Sequence, residues 1–207
     1  MAASGLAAAN AGHQIPDLYR MATAGLSIQD SKIVQRRIKE AILKCAILYG
    51  IPRSGQALGP LYRILGDDEI DDFSPRSEVA GSREADERRA RRGREYFDTL
   101  WTPVGAEEMR NRVRKYHPDH QLVNMTIIYE HWVSEDAILS NVETQMCNTV
   151  ALECIDSPVQ ALWHTRGIVR HGGTLEDARF AQDFGVAVAN QFGCRTGELT
   201  KVDDIQF

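Results

Sequence analysis

Apolar residues recur along this chain at intervals of three and four, the spacing that gathers them on one side of a helix. No run alternates apolar and polar residues between turn formers, so the pattern predicts helices and no strands. In SKIVQRRIKEAILKCAILYG, Ile33, Val34, Ile38, Ala41, Ile42, Cys45 and Leu48 fall on one broad face, and Gly50-Ile51-Pro52 ends the helix. Residues 55–65 read as a second helix, 83–100 as a third and 105–116 as a fourth, with Thr102 or Gly105 near its start. The acidic stretch 66–82, GDDEIDDFSPRSEVAGS, is rich in turn formers and reads as a loop. HPDHQL opens a fifth helix, with Pro118 in its first turn and an apolar run to Trp132.

The later helices carry explicit start signals. In SNVE, Ser140 can cap a helix over 141–154 while Glu143 reaches back to the cap amide. SPVQ repeats the device, with Ser157 as cap, Pro158 in the first turn and Gln160 as the third partner; that helix ends at Gly172-Gly173. Thr174 and Asp177 open the last long helix, which runs to about Phe192. The start of the chain has no basic stretch followed by an apolar run, so residues 1–26 read as a flexible tail and 27–207 as a single domain.

Composition narrows the function classes. Hydrophobic residues make up 43% of the 207, enough for a sizeable core. A net charge of −5 argues against general nucleic-acid binding. The mixed-charge run 82–96 reads as a solvated helix face with i,i+4 pairs such as Glu84–Arg88 and Glu87–Arg91. No stretch approaches the ~18 apolar residues of a membrane span. None of Cys45, Cys147, Cys154 and Cys194 is spaced as CxxC, and their apolar surroundings predict buried free thiols in a reducing, cytoplasmic setting.

An internal repeat emerges at a shift of 104 residues, which lays LYGIPRSGQALGPLYRIL over LECIDSPVQALWHTRGIV. Leu48, Ile51, Gln56, Ala57, Leu58 and Ile64 match Leu152, Ile155, Gln160, Ala161, Leu162 and Ile168. Two helical hairpins, each with one apolar face, imply a shared core. They differ where chemistry would sit: Trp163, His164 and Arg166 replace Gly59, Pro60 and Tyr62. If one copy holds a site, it is the second.

His164 is the residue that most invites a chemical role, since an imidazole near neutral pH serves as acid or base with little adjustment. A packed core histidine is the alternative. Glu143 is either a cap or a carboxylate that orients the imidazole. HPDH, with His117 and His120, reads as a helix entry rather than a metal-ligand set.

The order of these elements resembles the carboxymuconolactone decarboxylase and AhpD-like alkylhydroperoxidase superfamily. The likeness lies in the capped helix at Leu139-Ser140, in QALWHTRGIVRHGGT with His164 before a glycine-ended helix, and in the lead-ins RRGREYFDTLW and YHPDHQLVN. It covers about residues 90–193, and 31–70 faintly. It implies an all-α AhpD-like fold with two degenerate hairpin repeats, about 31–70 and 136–193, assembled as homo-oligomers. It further implies a cofactor-free, metal-free lyase or isomerase that decarboxylates, isomerises or cyclises a small lactone, keto acid or related metabolite. His164 and Glu143 would be catalytic, with Trp163, Arg166, Cys147 and Gln160 around the substrate. Peroxidase members carry a CxxC pair ahead of the histidine, where this chain has Ser157 and Gln160. A thiol peroxidase would have to use Cys147 or Cys154. A catalytically silent oligomeric binding or scaffold protein is the remaining alternative.

Overall fold

In a computed structural model describing residues 1–207, the chain is all-α. Its helices are α1 (Ala2–Ala8), α2 (Ile15–Thr23), α3 (Ile28–Tyr62), α4 (Arg83–Trp101), α5 (Pro103–Tyr116) and α6 (Pro118–Leu122). A π-helix, Val123–Val133, continues α6, and α7 (Asn141–Cys154), α8 (Pro158–Arg170) and α9 (Leu175–Gln191) follow.

The flexible tail expected over 1–26 is corrected by α1 and α2, which pack on α3 and, for α1, on α7. Ala3, Ala7, Ala8, Ile15 and Tyr19 are buried in the main core cluster. Within α1 only Leu6 is bulky, but alanine is the strongest helix former, and its small side chain lets two backbones come close. Arg53 ties α1 down through a 2.5 Å hydrogen bond to the Ala8 carbonyl.

α3 is two helices joined at Gly50, whose φ of 85° and ψ of 159° no helix accommodates. The break falls where Gly50-Ile51-Pro52 predicts it. Ile38, Ala41, Ile42 and Cys45 are buried, whereas Ile33, assigned to the same face, is exposed. The loop after α3 is bound back to it: Arg36 grips Asp71 in a bidentate pair, and Arg76 holds Glu40.

Expected and observed boundaries agree closely for α4, α5 and α7. The Ser140–Glu143 capping box is formed, at 3.2 and 2.9 Å, and so is Thr174–Asp177. Ser157 behaves differently. Its φ is −123° and its ψ 62°, its side chain makes no cap hydrogen bond, and α8 starts without a side-chain cap. On α4 the Glu84–Arg88 pair forms, while Glu87 pairs with Arg83 instead of Arg91.

α7 is the spine, packed against α1, α3, α8 and α9. All but its first turn and Met146 is buried. Lys44 of α3 is also fully buried. Its ammonium donates to the Val133 carbonyl at 3.0 Å and Thr144 Oγ1 at 2.7 Å, joining the end of the π-helix to α7. Burial lowers the Lys44 pKa to about 8, against a smaller opposing pull from Glu40.

Candidate functional site

His164 is half-buried on α8, where α4 and α7 converge. Its Nδ1 lies 2.7 Å from Gln145 Oε1 and 3.5 Å from Asn148 Nδ2. Gln145 and Asn148 are three apart on α7 and so share a face. The Gln145 amide nitrogen donates to Tyr96 Oη of α4 at 2.9 Å. That bond leaves Gln145 Oε1 facing the imidazole as an acceptor, so Nδ1 carries the proton and Nε2 keeps its lone pair. The 3.5 Å contact to Asn148 Nδ2 is too long to reverse this assignment. Gly167, one turn along α8, makes the arrangement possible. A Cβ there would sit 2.6 Å from Leu100 Cδ1 and 2.7 Å from Gln145 Cδ.

Electrostatics keep the imidazole neutral. Burial, then the nearby His171, lowers the His164 pKa to about 4. His171, just past α8, stacks on Tyr96 at 4.4 Å and is lowered to about 4 by burial as well. Also on α8, the Arg166 guanidinium lies 4.8 Å from the Trp163 ring centre, and the Trp163 ring lies 4.6 Å from that of Trp101. Arg170 donates to the Leu100 carbonyl at 2.6 Å. Neither Arg166 nor Arg170 pairs with a carboxylate, unlike Arg36, Arg76 and Arg92. Buried and unpartnered Nε of Arg166 and Nε2 of His171 add polar atoms that a ligand can satisfy.

The residues expected to share this site divide into two groups. Trp163 neighbours His164 on α8, whereas Arg166, two residues on, projects from a different face of the helix and covers the Trp163 ring. Gln160 is exposed and takes no part in the imidazole's hydrogen bonds. Glu143 is corrected from a partner of His164 to a cap with a second bond: one oxygen holds the Ser140 amide, the other the Arg37 guanidinium. These bonds outweigh desolvation and hold its carboxyl below the usual range. Cys147 lies one turn further along that face. Both line an apolar cavity of about 450 Å³ that does not include His164. Residues 143, 146 and 147 fall on one side of α7 and 145 and 148 on nearly the opposite side.

Gln145, Asn148, Tyr96 and His171 were not among the candidates. Gln145 precedes His164 by 19 residues and Tyr96 precedes it by 68, so no local spacing announces them. His171 had a signal: seven residues separate it from His164, two helical turns on one face.

The comparisons with known proteins are sparse. No family model matches the chain, and no solved structure matches it. It is 24% identical over 157 residues to the protein named Peroxisomal protein 2 of Schizosaccharomyces pombe, a stretch covering 76% of this chain and 70% of that relative.

Proposed function

We propose that this chain is a cofactor-free enzyme of the carboxymuconolactone decarboxylase-like kind, moving a proton on a small lactone, keto acid or related metabolite. The observation that carries the reading is the 2.7 Å contact between Gln145 Oε1 and His164 Nδ1 in a chain continuing to Tyr96. It presents an imidazole of fixed tautomer with a free Nε2 lone pair, neutral at any pH above about 4. Nε2 takes the proton from carbon; Gln145 holds the ring as it gains charge. Arg166, without an acid of its own, attracts a substrate carboxylate and the charge developing on oxygen.

Homo-oligomers would cover part of the exposed apolar surface at Val159, Leu175 and Phe180. No helix is long and apolar enough to cross a membrane. Free thiols at Cys45, Cys147, Cys154 and Cys194 suit a reducing compartment such as the cytoplasm, while the relative's name points to the peroxisome as a second location to test. Imaging the tagged full chain against markers for both separates them.

The activity test is deuterium uptake. Lactones and keto acids are incubated with the protein in D₂O and read by proton NMR. Exchange or turnover in the wild type and its loss in His164→Asn support the reading; exchange at the wild-type rate in the variant overturns it. A binding role without catalysis is the second reading, favoured by the apolar cavity lying on the other side of α7 from His164.

A further inference from the structure

α8 carries a positive charge that no other part of the chain answers. Among the arginines at least partly withdrawn from water, Arg36, Arg76, Arg89, Arg92 and Arg110 each hold a carboxylate. Arg53 holds none and is spent on the Ala8 carbonyl. Arg166 and Arg170 hold none either, and they stand one turn apart on the same side of α8. Burial and then Arg166 lower the Arg170 pKa, and no acid pulls it back. Like charges at this spacing destabilise a helix. The dipole of α8 favours a cation in its last turn, which suits Arg170, but the effect has faded by Arg166, a turn earlier.

The donors are as unused as the charge. Of the N–H groups on the two guanidiniums, only Arg170 Nη1 has a protein acceptor, the Leu100 carbonyl at 2.6 Å. Arg166 Nε is buried without a partner, and buried donors demand one. Arg166 is held in place by the Trp163 ring, a contact that uses up none of its donors. We propose that Arg166 and Arg170 form a binding site for a small dianionic oxyanion, a phosphate or a dicarboxylate. Two guanidiniums about 6 Å apart along the helix axis match two negative charges, and a monoanion leaves one of them unanswered. The site deepens the part given to Arg166 above, and rests on that reading only for the anion's belonging to a substrate. It lies on a different face of α8 from His164, and its occupancy is measured without turnover.

Equilibrium dialysis of the full chain at low ionic strength and pH 8, with radiolabelled inorganic phosphate and malonate as probes, tests the assignment. At least one of the two should bind saturably to a single site, and the tighter one identifies a phosphoryl or a dicarboxylate ligand. Unlabelled acetate should compete about tenfold or more weakly. Arg166→Gln removes no hydrogen bond from the fold and should weaken binding about tenfold or more with an unchanged melting curve. Arg170→Gln should weaken it similarly, whereas Arg112→Gln, exposed on α5, should leave it unchanged. His164→Asn should bind the probes as the wild type does, so failure of the catalytic reading leaves this result standing. No saturable binding of either probe, acetate competing as well as the dianions, or equal weakening by Arg112→Gln and Arg166→Gln would each overturn the assignment.

Discussion

The two sides of α7 teach different lessons about one helix. On one side Gln145 and Asn148 meet His164, and Tyr96 completes a chain of hydrogen bonds. On the other, Glu143, Met146 and Cys147 border an open pocket with a mostly hydrophobic lining. The first side is polar and packed; the second borders an open, mostly apolar pocket. Buried polar groups demand partners, so the first side fixes one geometry down to a tautomer. Apolar walls make no such demand, so the second side specifies a volume and little else.

The largest expected effect comes from removing the imidazole. His164→Asn should lower turnover of an identified substrate by about 10²–10⁴-fold. Turnover that survives the substitution would remove His164 from the chemistry. The pH profile adds a second reading. With the His164 pKa at about 4, kcat/KM should stay level from pH 7 down to about 5 and fall only near 4. An acid limb near 6.5 would mean that the imidazole is solvated in the working enzyme. Stability follows the same groups. His164 and His171 bind protons more weakly folded than unfolded, so stability is complete above about 6.5 and declines as the pH falls toward 4.

Gln145 is a positioning residue, and its replacement by an acid should move a pKa more than it lowers a rate. In Gln145→Glu a carboxylate faces Nδ1, the imidazolium is favoured, and the acid limb should shift upward by about a unit or more. A merely structural Gln145 would leave the limb in place. Gly167→Ala disturbs the same contact sterically, since its Cβ would press on Gln145 Cδ and Leu100 Cδ1. A stability loss of about 1–3 kcal/mol by denaturant titration, with a slower reaction, is expected.

The helical fold was legible in the sequence because its signals are local. Glycine at 50, the boxes Ser140–Glu143 and Thr174–Asp177, and the three–four periodicity of α3 and α7 each act within a turn or two. α1 escaped because alanine packing leaves no bulky periodic trace, and Ser157 misled because a capping motif says nothing about the angles of the turn before it. The site was half legible. His164, Trp163 and Arg166 stand together in one helix. Their partners Gln145 and Tyr96 arrive only through the packing of α7 and α4 against α8, which no short spacing encodes. Glu143 and Cys147 were placed on the right helix, but hairpin geometry alone left its rotation undetermined, and the rotation turns them to the cavity.

α7 has a third side, toward α9, that sharpens the contrast between satisfied and unsatisfied polar groups. Glu153 is fully buried, and neither carboxyl oxygen has a hydrogen-bond partner. Burial, then Asp183, raises its pKa to about 9. The folded protein therefore holds a proton that the unfolded chain releases near pH 4.5, and stability is lost as the pH climbs from there toward 9. Glu153→Gln removes the titration. The two proteins should melt alike below about pH 5, with the variant higher by about 3 °C or more at pH 9. Parallel melting curves across that range would show that the carboxyl reaches water.

The smallest effect belongs to Glu143, and it decides whether the two sides of α7 are chemically separate. As a cap and partner of Arg37, Glu143 contributes little. Glutamine also serves in a capping box, and an exposed ion pair is worth about 0–1 kcal/mol. Glu143→Gln should therefore cost about 1 kcal/mol or less in a denaturant titration and leave turnover unchanged. If instead Glu143 shared a proton path with His164, the same substitution would cut turnover by about a hundredfold at unchanged stability. That result would require α7 to rotate or bend when substrate binds, bringing the cap across from the cavity, because the residue facing the imidazole in the resting chain is Gln145. Unchanged turnover with a small stability loss is the expected outcome, since both Glu143 oxygens are already committed to Ser140 and Arg37.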